Sequence, residues 1–219
     1  MGKINLKKGI LDVILYIIIF VVVQIAVTYA GAGIWAGVKH EGYTSVLNIM
    51  LSGANPVLLA LTTVFSNIIT LVIFLKTKWT PLTREYLLSK PWITLLWVAL
   101  FTLGAIIPLE FTYEHLGLEM DANTSRVFES LMKEPWGYVA VGILAPLAEE
   151  IVFRGAILRT LLGMMSKKNH WAAILISAAI FGVAHGNAAQ FVNALLMGLL
   201  LGWMYYRTKS LVPGILMHW

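Results

Sequence analysis

The chain has 219 residues, of which 59% are hydrophobic and 12% are charged, and its mean hydropathy is +0.80. Because soluble domains carry about 25% charged residues, this composition excludes a soluble globular protein and predicts an all-α, polytopic transmembrane helical bundle. The net charge of +5 is explained by topology and anionic lipid, so the expected partners include the lipid bilayer and no nucleic acid. The sequence has no cysteine, which excludes disulfides, thiolate metal sites and a cysteine nucleophile.

Apolar runs that could cross a membrane follow one another along the chain. They cover residues 13–38, 56–75, 92–109, 136–162, 171–184 and 191–206, and a shorter run begins near Leu211. The first run is too long for a secretory signal, whose apolar part has about 7 to 15 residues, so we interpret it as a retained span. A span needs about 20 apolar residues, so the last run is a half-span or continues beyond Trp219. We predict about seven or eight spans.

Basic residues in the connecting segments predict the orientation of these spans. One side carries twelve Lys and Arg residues and the other carries three, which places the N-terminus in the cytoplasm. The twelve are Lys3, Lys7, Lys8, Lys76, Lys78, Arg84, Lys90, Arg159, Lys167, Lys168, Arg207 and Lys209. We expect the membrane to be that of a bacterial or archaeal cell.

No repeat or linker divides the chain, so residues 1–219 are predicted to form a single integral membrane domain. Residues 1–135 would supply three spans and an acidic, non-cytoplasmic loop over residues 110–135. Residues 136–219 would carry the functional motifs in the last four spans. In one of these spans Gly198 and Gly202 form a small-xxx-small pair, which predicts close packing of two helix backbones.

The segment 148–154 places three ionisable residues, Glu149, Glu150 and Arg154, inside an apolar run. Charges there cost about 2.5 to 3.5 kcal/mol each on the insertion scale, so they indicate a function. On a helix Glu150 and Arg154 are four residues apart and can form an ion pair. Glu149 projects about 100° away from Glu150, which leaves its carboxylate without that partner. Glu149 is therefore the candidate functional carboxylate.

Two histidines occur in the apolar segments that follow. His185 lies four residues after Phe181, on the same helix face, and Gly186 predicts the end of that helix. His218 lies in the last apolar segment. Such residues usually face the interior of a bundle, so Glu149, His185 and His218 are expected to converge in a polar cavity. Asn193, on the intervening span, could either pack or line this cavity.

A carboxylate with two imidazoles fits several chemistries. Glu149 could act as a general base on water, while the histidines stabilise an oxyanion, orient the water or protonate the leaving amine. The same three residues could instead bind zinc, although the sequence has no His-Glu-x-x-His helix. A third alternative is a membrane regulator, immunity or ligand-binding protein without hydrolysis. Hydrolysis without a cofactor is the preferred interpretation, and zinc is the alternative.

Three motifs resemble those of the CPBP family, which contains the type II CAAX prenyl proteases, the bacteriocin-processing proteins and the Abi proteins. They are Glu149-Glu150-x-x-x-Arg154, Phe181-x-x-x-His185, and a Ser-Leu-x-Pro-x-Ile-x-x-His segment that ends at His218. The resemblance covers residues 136–219. That family also has Asn or Asp four residues after the late histidine, a position beyond Trp219, and we expect the chain to continue there.

The resemblance implies an intramembrane glutamic endopeptidase. Glu149, His185 and His218 would be catalytic, and Glu150, Arg154, Phe181 and Asn187 would support them. The substrate would be a peptide or protein within the membrane, such as a CAAX-type prenylpeptide or a bacteriocin-like precursor. No residue of this chain specifies a prenyl group.

Overall fold

The computed structural model describes residues 4–117 and 119–219, and within them all regular secondary structure is helical. Lys3, one of the residues used to predict the orientation, lies outside the described residues. The first half of the chain forms the helices α1 (Leu6–Lys39), α2 (Tyr43–Leu51), α3 (Pro56–Lys76), α4 (Glu85–Leu88), α5 (Trp92–Leu116) and α6 (Ala122–Met132). The predicted all-helical membrane architecture is confirmed.

The second half begins with a continuous helical run that alternates between α and π geometry. Its parts are α7 (Pro135–Gly137), π1 (Tyr138–Leu144), α8 (Ala145–Glu149), π2 (Glu150–Leu158) and α9 (Arg159–Met164). The helices α10 (His170–Ala184), α11 (Ala188–Thr208) and α12 (Val212–His218) follow. The sequence predicted an ordinary α-helix across residues 136–162, so the two π segments are a finding of the structure.

Four helices in the described residues are long and apolar enough to cross a membrane, by length and composition. They are Leu6–Lys39, Pro56–Lys76, Trp92–Thr112 and Ala188–Thr208. The run over residues 135–164 and the 15-residue α10 correspond to two further predicted spans. The total of seven or eight spans stays a prediction.

The acidic segment over residues 110–135, predicted to be a non-cytoplasmic loop between spans, contains regular structure. It contains α6, whose N-cap Asp121 accepts hydrogen bonds from the backbone N–H groups of Asn123 and Thr124 at 3.1 and 3.0 Å. An aspartate at this position satisfies backbone donors that the first turn of a helix leaves free. The segment thus includes the end of α5 and the short helix α6, and its position on the non-cytoplasmic side stays a prediction.

Local sequence also explains where the functional helices begin and end. The side chain of Asn187 accepts a hydrogen bond from the backbone N–H of Gln190 at 2.8 Å and thereby caps the start of α11. Gly186 adopts a φ of 77°, a left-handed conformation that is easily accessible to glycine, and α10 ends two residues before it. The predicted helix end is therefore confirmed. Asn187 has a structural role as the N-cap residue of α11.

Helices α10 and α11 form a closely packed pair. A Cβ atom placed on Gly198 would lie 2.8 Å from the Cβ of Ala178, and one placed on Gly202 would lie 2.9 Å from a methyl group of Ile174. Only glycine permits this backbone approach, so the predicted packing role of Gly198 and Gly202 is confirmed. By contrast, Val98 is the only buried residue of α5 among its described side chains. The α5 helix is therefore much less buried within the protein than the α10–α11 pair.

Candidate active site

The two neighbouring glutamates occupy different environments. Glu149 ends α8 and Glu150 begins π2, at the junction of two helix geometries. The Glu149 side chain is 20% exposed, whereas that of Glu150 is 1% exposed. Local π geometry is frequent at functional sites because it changes the direction of side chains along a helix. Of the two carboxylates, only Glu149 is accessible to water or a substrate.

Glu150 forms the ion pair that its spacing from Arg154 predicts. The Arg154 Nη1 atom lies 2.9 Å from the Glu150 Oε1 atom, and both side chains are buried. The contact has ion-pair distance without the alignment of a hydrogen bond. The guanidinium also lies 4.4 Å from the ring centroid of Phe181, which adds a cation–π contact. These contacts hold Arg154 between the glutamate helix and α10.

The short helix α12 brings His218 to both glutamates. The His218 Nε2 atom lies 3.3 Å from the Glu149 Oε2 atom, and its Nδ1 atom lies 3.5 Å from the Glu150 Oε1 atom. This approach depends on Gly214, because a Cβ atom there would lie 2.5 Å from the Glu150 Oε2 atom. The sequence predicted that His218 would meet Glu149. It did not predict the second contact, because the path of α12 is set by tertiary packing.

His185 is oriented by the carbonyl one turn earlier on α10. Its Nδ1 atom lies 2.9 Å from the carbonyl oxygen of Phe181. A carbonyl oxygen only accepts hydrogen bonds, so Nδ1 carries the hydrogen and Nε2 is the free ring nitrogen of the neutral imidazole. The Phe181 ring is nearly perpendicular to both histidine rings, with centroid distances of 4.8 Å to His185 and 6.0 Å to His218. Phe181 thus packs against both imidazoles.

Both histidines line one cavity of about 460 Å³. We call it the α5–α11 cavity; its walls contain Thr102, Ala105, Ile106, Leu109, Phe181, His185, Gln190, Asn193, Ala194, Met197, Met217, His218 and Trp219. Glu149 is not part of this wall and instead contacts the wall residue His218. The structure therefore brings Glu149 and His218 into contact, and places His185 beside His218 on the cavity surface.

Three features of this cavity extend the sequence analysis. Asn193, which could have packed or lined a cavity, lies in the wall. Gln190 also lines the wall and was not predicted, although it lies one turn from Asn193 on a helix face. The contribution of α5 was not predicted either, because its apolar sequence carries no signal that distinguishes a cavity wall from a lipid-facing helix.

Polar side chains from other helices support the irregular backbone around the site. Thr80 donates a hydrogen bond to the carbonyl oxygen of Ile151 at 2.7 Å, and Ser177 donates one to that of Phe153 at 3.1 Å. Asn67 donates to the carbonyl oxygen of Ala140 in π1 at 3.4 Å. In a membrane, such internal partners are needed wherever backbone geometry departs from the α-helix. They satisfy carbonyl groups within π1 and π2, the second of which carries Glu150.

The zinc alternative requires Glu149, His185 and His218 to bind one ion. Among the residues that the structure describes, no three or more His, Asp or Glu side chains are grouped so that they could hold a metal ion. The geometry brings only Glu149 and His218 of this set within 3.3 Å. Metal dependence is therefore a question for a chelator experiment.

The fold and the site together define a polytopic helical membrane protein in which a partly exposed carboxylate–imidazole pair lies next to a cavity lined by α5 and α11. Residues 131–219, which carry all three motifs, match the family described as type II CAAX prenyl endopeptidase Rce1-like. The resemblance predicted from the motifs is thereby confirmed.

Two bacterial proteins are similar to a longer part of the chain. The Bacillus subtilis (strain 168) protein named "Putative membrane peptidase YdiL" is 31% identical over 121 residues, which are 55% of this chain and 48% of that protein. The Staphylococcus aureus (strain USA300) protein named "Membrane-embedded CAAX protease MroQ" is 29% identical over 140 residues, which are 62% of this chain and 55% of that protein. The chain thus spans about half the length of these relatives. No solved structure is significantly similar to it.

Proposed function

We propose that this protein is an intramembrane endopeptidase that hydrolyses a peptide bond of a membrane-associated peptide or protein with water activated by Glu149. The observation that carries the proposal is the contrast between the two glutamates. Glu150 is enclosed by Arg154 and α12, whereas Glu149 is 20% exposed and lies 3.3 Å from His218. The family of the motif region and the names of the relatives support a protease.

In the proposed reaction, the Glu149 carboxylate takes a proton from water as the water oxygen attacks the carbonyl carbon of the scissile bond. The free Nε2 of His185 accepts a hydrogen bond from this water and orients it. The proton taken by Glu149 passes through His218 to the nitrogen of the leaving amine as the carbon–nitrogen bond breaks. The products are a carboxylic acid and an amine, so water is the only co-reactant required.

The proposed setting is a bacterial or archaeal cell membrane with the N-terminus in the cytoplasm. The excess of Lys and Arg in the connecting segments supports this orientation. In it, the N-terminus of α10 faces the cytoplasm, and His185 near its other end lies toward the opposite side of the bilayer. The substrate is proposed to be a peptide or protein within the membrane, with or without a prenyl group.

The proposal is tested by incubating the purified protein in lipid vesicles with a peptide library and with a prenylated C-terminal reporter peptide, with and without a chelator. We expect cleavage that survives the chelator and is abolished by His185→Ala. The matched control is His170→Ala, which removes a histidine from the opposite end of the same helix and should retain activity.

Each other outcome contradicts part of the proposal. Cleavage lost with the chelator would assign the reaction to a zinc-dependent protease. An absence of cleavage in every condition would contradict the proposed endopeptidase activity and favour a membrane regulator or ligand-binding protein of the same fold. Equal activity of His185→Ala and the wild type would place the reaction outside this cavity.

A further inference from the structure

Asn193 presents an unused amide group to the α5–α11 cavity. It lies on α11 in the cavity wall, and its side chain is exposed. Within the described part of the chain this amide has no hydrogen-bond partner. A packing contact would have buried the amide against a neighbouring helix and paired it. The exposed amide is therefore free to form hydrogen bonds with water or with a ligand in the cavity.

Apart from ring nitrogens of the two histidines, several other polar groups of the wall have partners within the described chain. The Thr102 hydroxyl donates a hydrogen bond to the carbonyl oxygen of Val98 at 2.8 Å. The Gln190 Oε1 atom accepts one from the Asn187 Nδ2 atom at 2.6 Å. The Nδ1 atom of His185 is engaged by Phe181 at 2.9 Å. Among the side-chain amides of this wall, Asn193 alone retains its donor and its acceptor in the described structure.

An asparagine amide is chemically matched to a peptide backbone. It carries a carbonyl acceptor and two N–H donors, so it can pair with the N–H and the C=O of one extended residue. A peptide segment that leaves water for the membrane interior needs such partners, because an unsatisfied backbone group there costs several kcal/mol. A substrate that lies between α5 and α11 would meet Asn193 in this way.

The remaining wall limits the side chains of such a segment. No Asp, Glu, Lys or Arg occurs among the residues that line the cavity. The α5 and α11 walls present Ile106, Leu109 and Met197 instead. Because a buried charge without a partner is strongly unfavourable, these walls select uncharged, mainly apolar side chains.

We propose that Asn193 is a substrate-binding residue that pairs with the backbone of an extended, uncharged peptide segment in the α5–α11 cavity. The binding of this segment is an independent claim, whereas its subsequent cleavage rests on the proposed function. Asn193 would hold the segment along α11, on the cavity surface that also carries His185 and His218.

Binding is measured separately from hydrolysis in the Glu149→Gln background. The probes are fluorescent peptides with apolar centres of Leu, Val and Ala and terminal lysines, titrated against the protein in vesicles. Asn193→Leu should weaken binding about thirtyfold, because two hydrogen bonds of about 1 kcal/mol each are lost. Asn193→Gln, which keeps an amide, should recover part of this loss, and Leu196→Ala on the same helix should bind as the parent does.

Peptides with one backbone amide replaced by an ester locate the contact. At one peptide position, the ester should weaken binding to the Glu149→Gln parent protein. It should not weaken binding to the same protein with Asn193→Leu, as in a double-mutant cycle. The unfolding temperature should be unchanged by Asn193→Leu. The proposal would be overturned if the parent protein and its Asn193→Leu variant bound the peptides with equal affinity. It would also be overturned if no peptide bound. If the wild type cleaved no peptide while the expected binding differences were observed, only the proposed function would be contradicted.

Discussion

At the scale of single residues, the site separates two chemically identical side chains by their surroundings. Glu150 is held by Arg154 on one side and approached by α12 at Gly214 on the other. Glu149 is directed to His218 and retains exposure. The i, i+4 spacing allowed the Glu150–Arg154 pair to be predicted. The contact of His218 with both carboxylates could not be predicted, because it depends on how α12 packs.

Removing the Glu150 carboxylate should destabilise the protein. Glu150→Ala leaves the buried Arg154 charge without its partner, a change that typically costs about 3 to 5 kcal/mol. Thermal unfolding in detergent should show a large decrease for Glu150→Ala and a small one for Glu149→Ala. The double variant Glu150→Ala/Arg154→Met should recover stability, because it removes the unpaired charge. Equal stability of the single and double variants would show that Arg154 does not depend on Glu150.

At the scale of secondary-structure elements, the short α12 positions a catalytic candidate by close contact. Its register is fixed where Gly214 passes the Glu150 carboxylate, and His218 follows one turn later. The helix end near His185 was predictable, because Gly186 marks it in the sequence. The π segments were not, because they depend on hydrogen bonds from Thr80 and Ser177, which come from elsewhere in the chain.

Gly214→Ala should displace α12 and with it His218. The added methyl group would lie 2.5 Å from the Glu150 Oε2 atom, whose position is fixed by Arg154. Overpacking of this kind costs about 1 to 3 kcal/mol, and cleavage should fall because the contact of His218 with Glu149 lengthens. The matched control is Gly37→Ala, where the added methyl meets no atom within 4 Å. A Gly214→Ala protein with full activity and unchanged unfolding temperature would contradict the role of this contact.

At the scale of the whole molecule, a closely packed part and a helix with little burial enclose the cavity. The α10–α11 pair and the helical run over residues 135–164 carry the motifs, while α5 supplies the opposite wall with little burial of its own. Composition and apolar runs were sufficient to predict the helical membrane fold, because hydrophobic length is a strong constraint. They gave no information on which helices adjoin, and therefore none on the α5 wall or on Gln190.

The absence of cysteine allows a direct measurement of orientation. We expect a cysteine introduced at Lys168 to be protected from an impermeant thiol reagent in intact cells, because the basic segments face the cytoplasm. A cysteine at Asn123, in the acidic segment, should react. Labelling after membrane disruption should reach both positions equally. The reverse pattern in intact cells would invert the proposed topology and place the N-terminus outside.

The most direct test of Glu149 as the base that activates water compares cleavage by the wild type, Glu149→Gln and Glu129→Gln in the same vesicles. Glu149→Gln keeps the size of the side chain but cannot accept the proton, so the rate should fall about 10² to 10⁴-fold with an unchanged unfolding temperature. The exposed Glu129 on α6 is the matched control, and its variant should retain the wild-type rate. Full activity of the Glu149→Gln protein would contradict the assignment of the base.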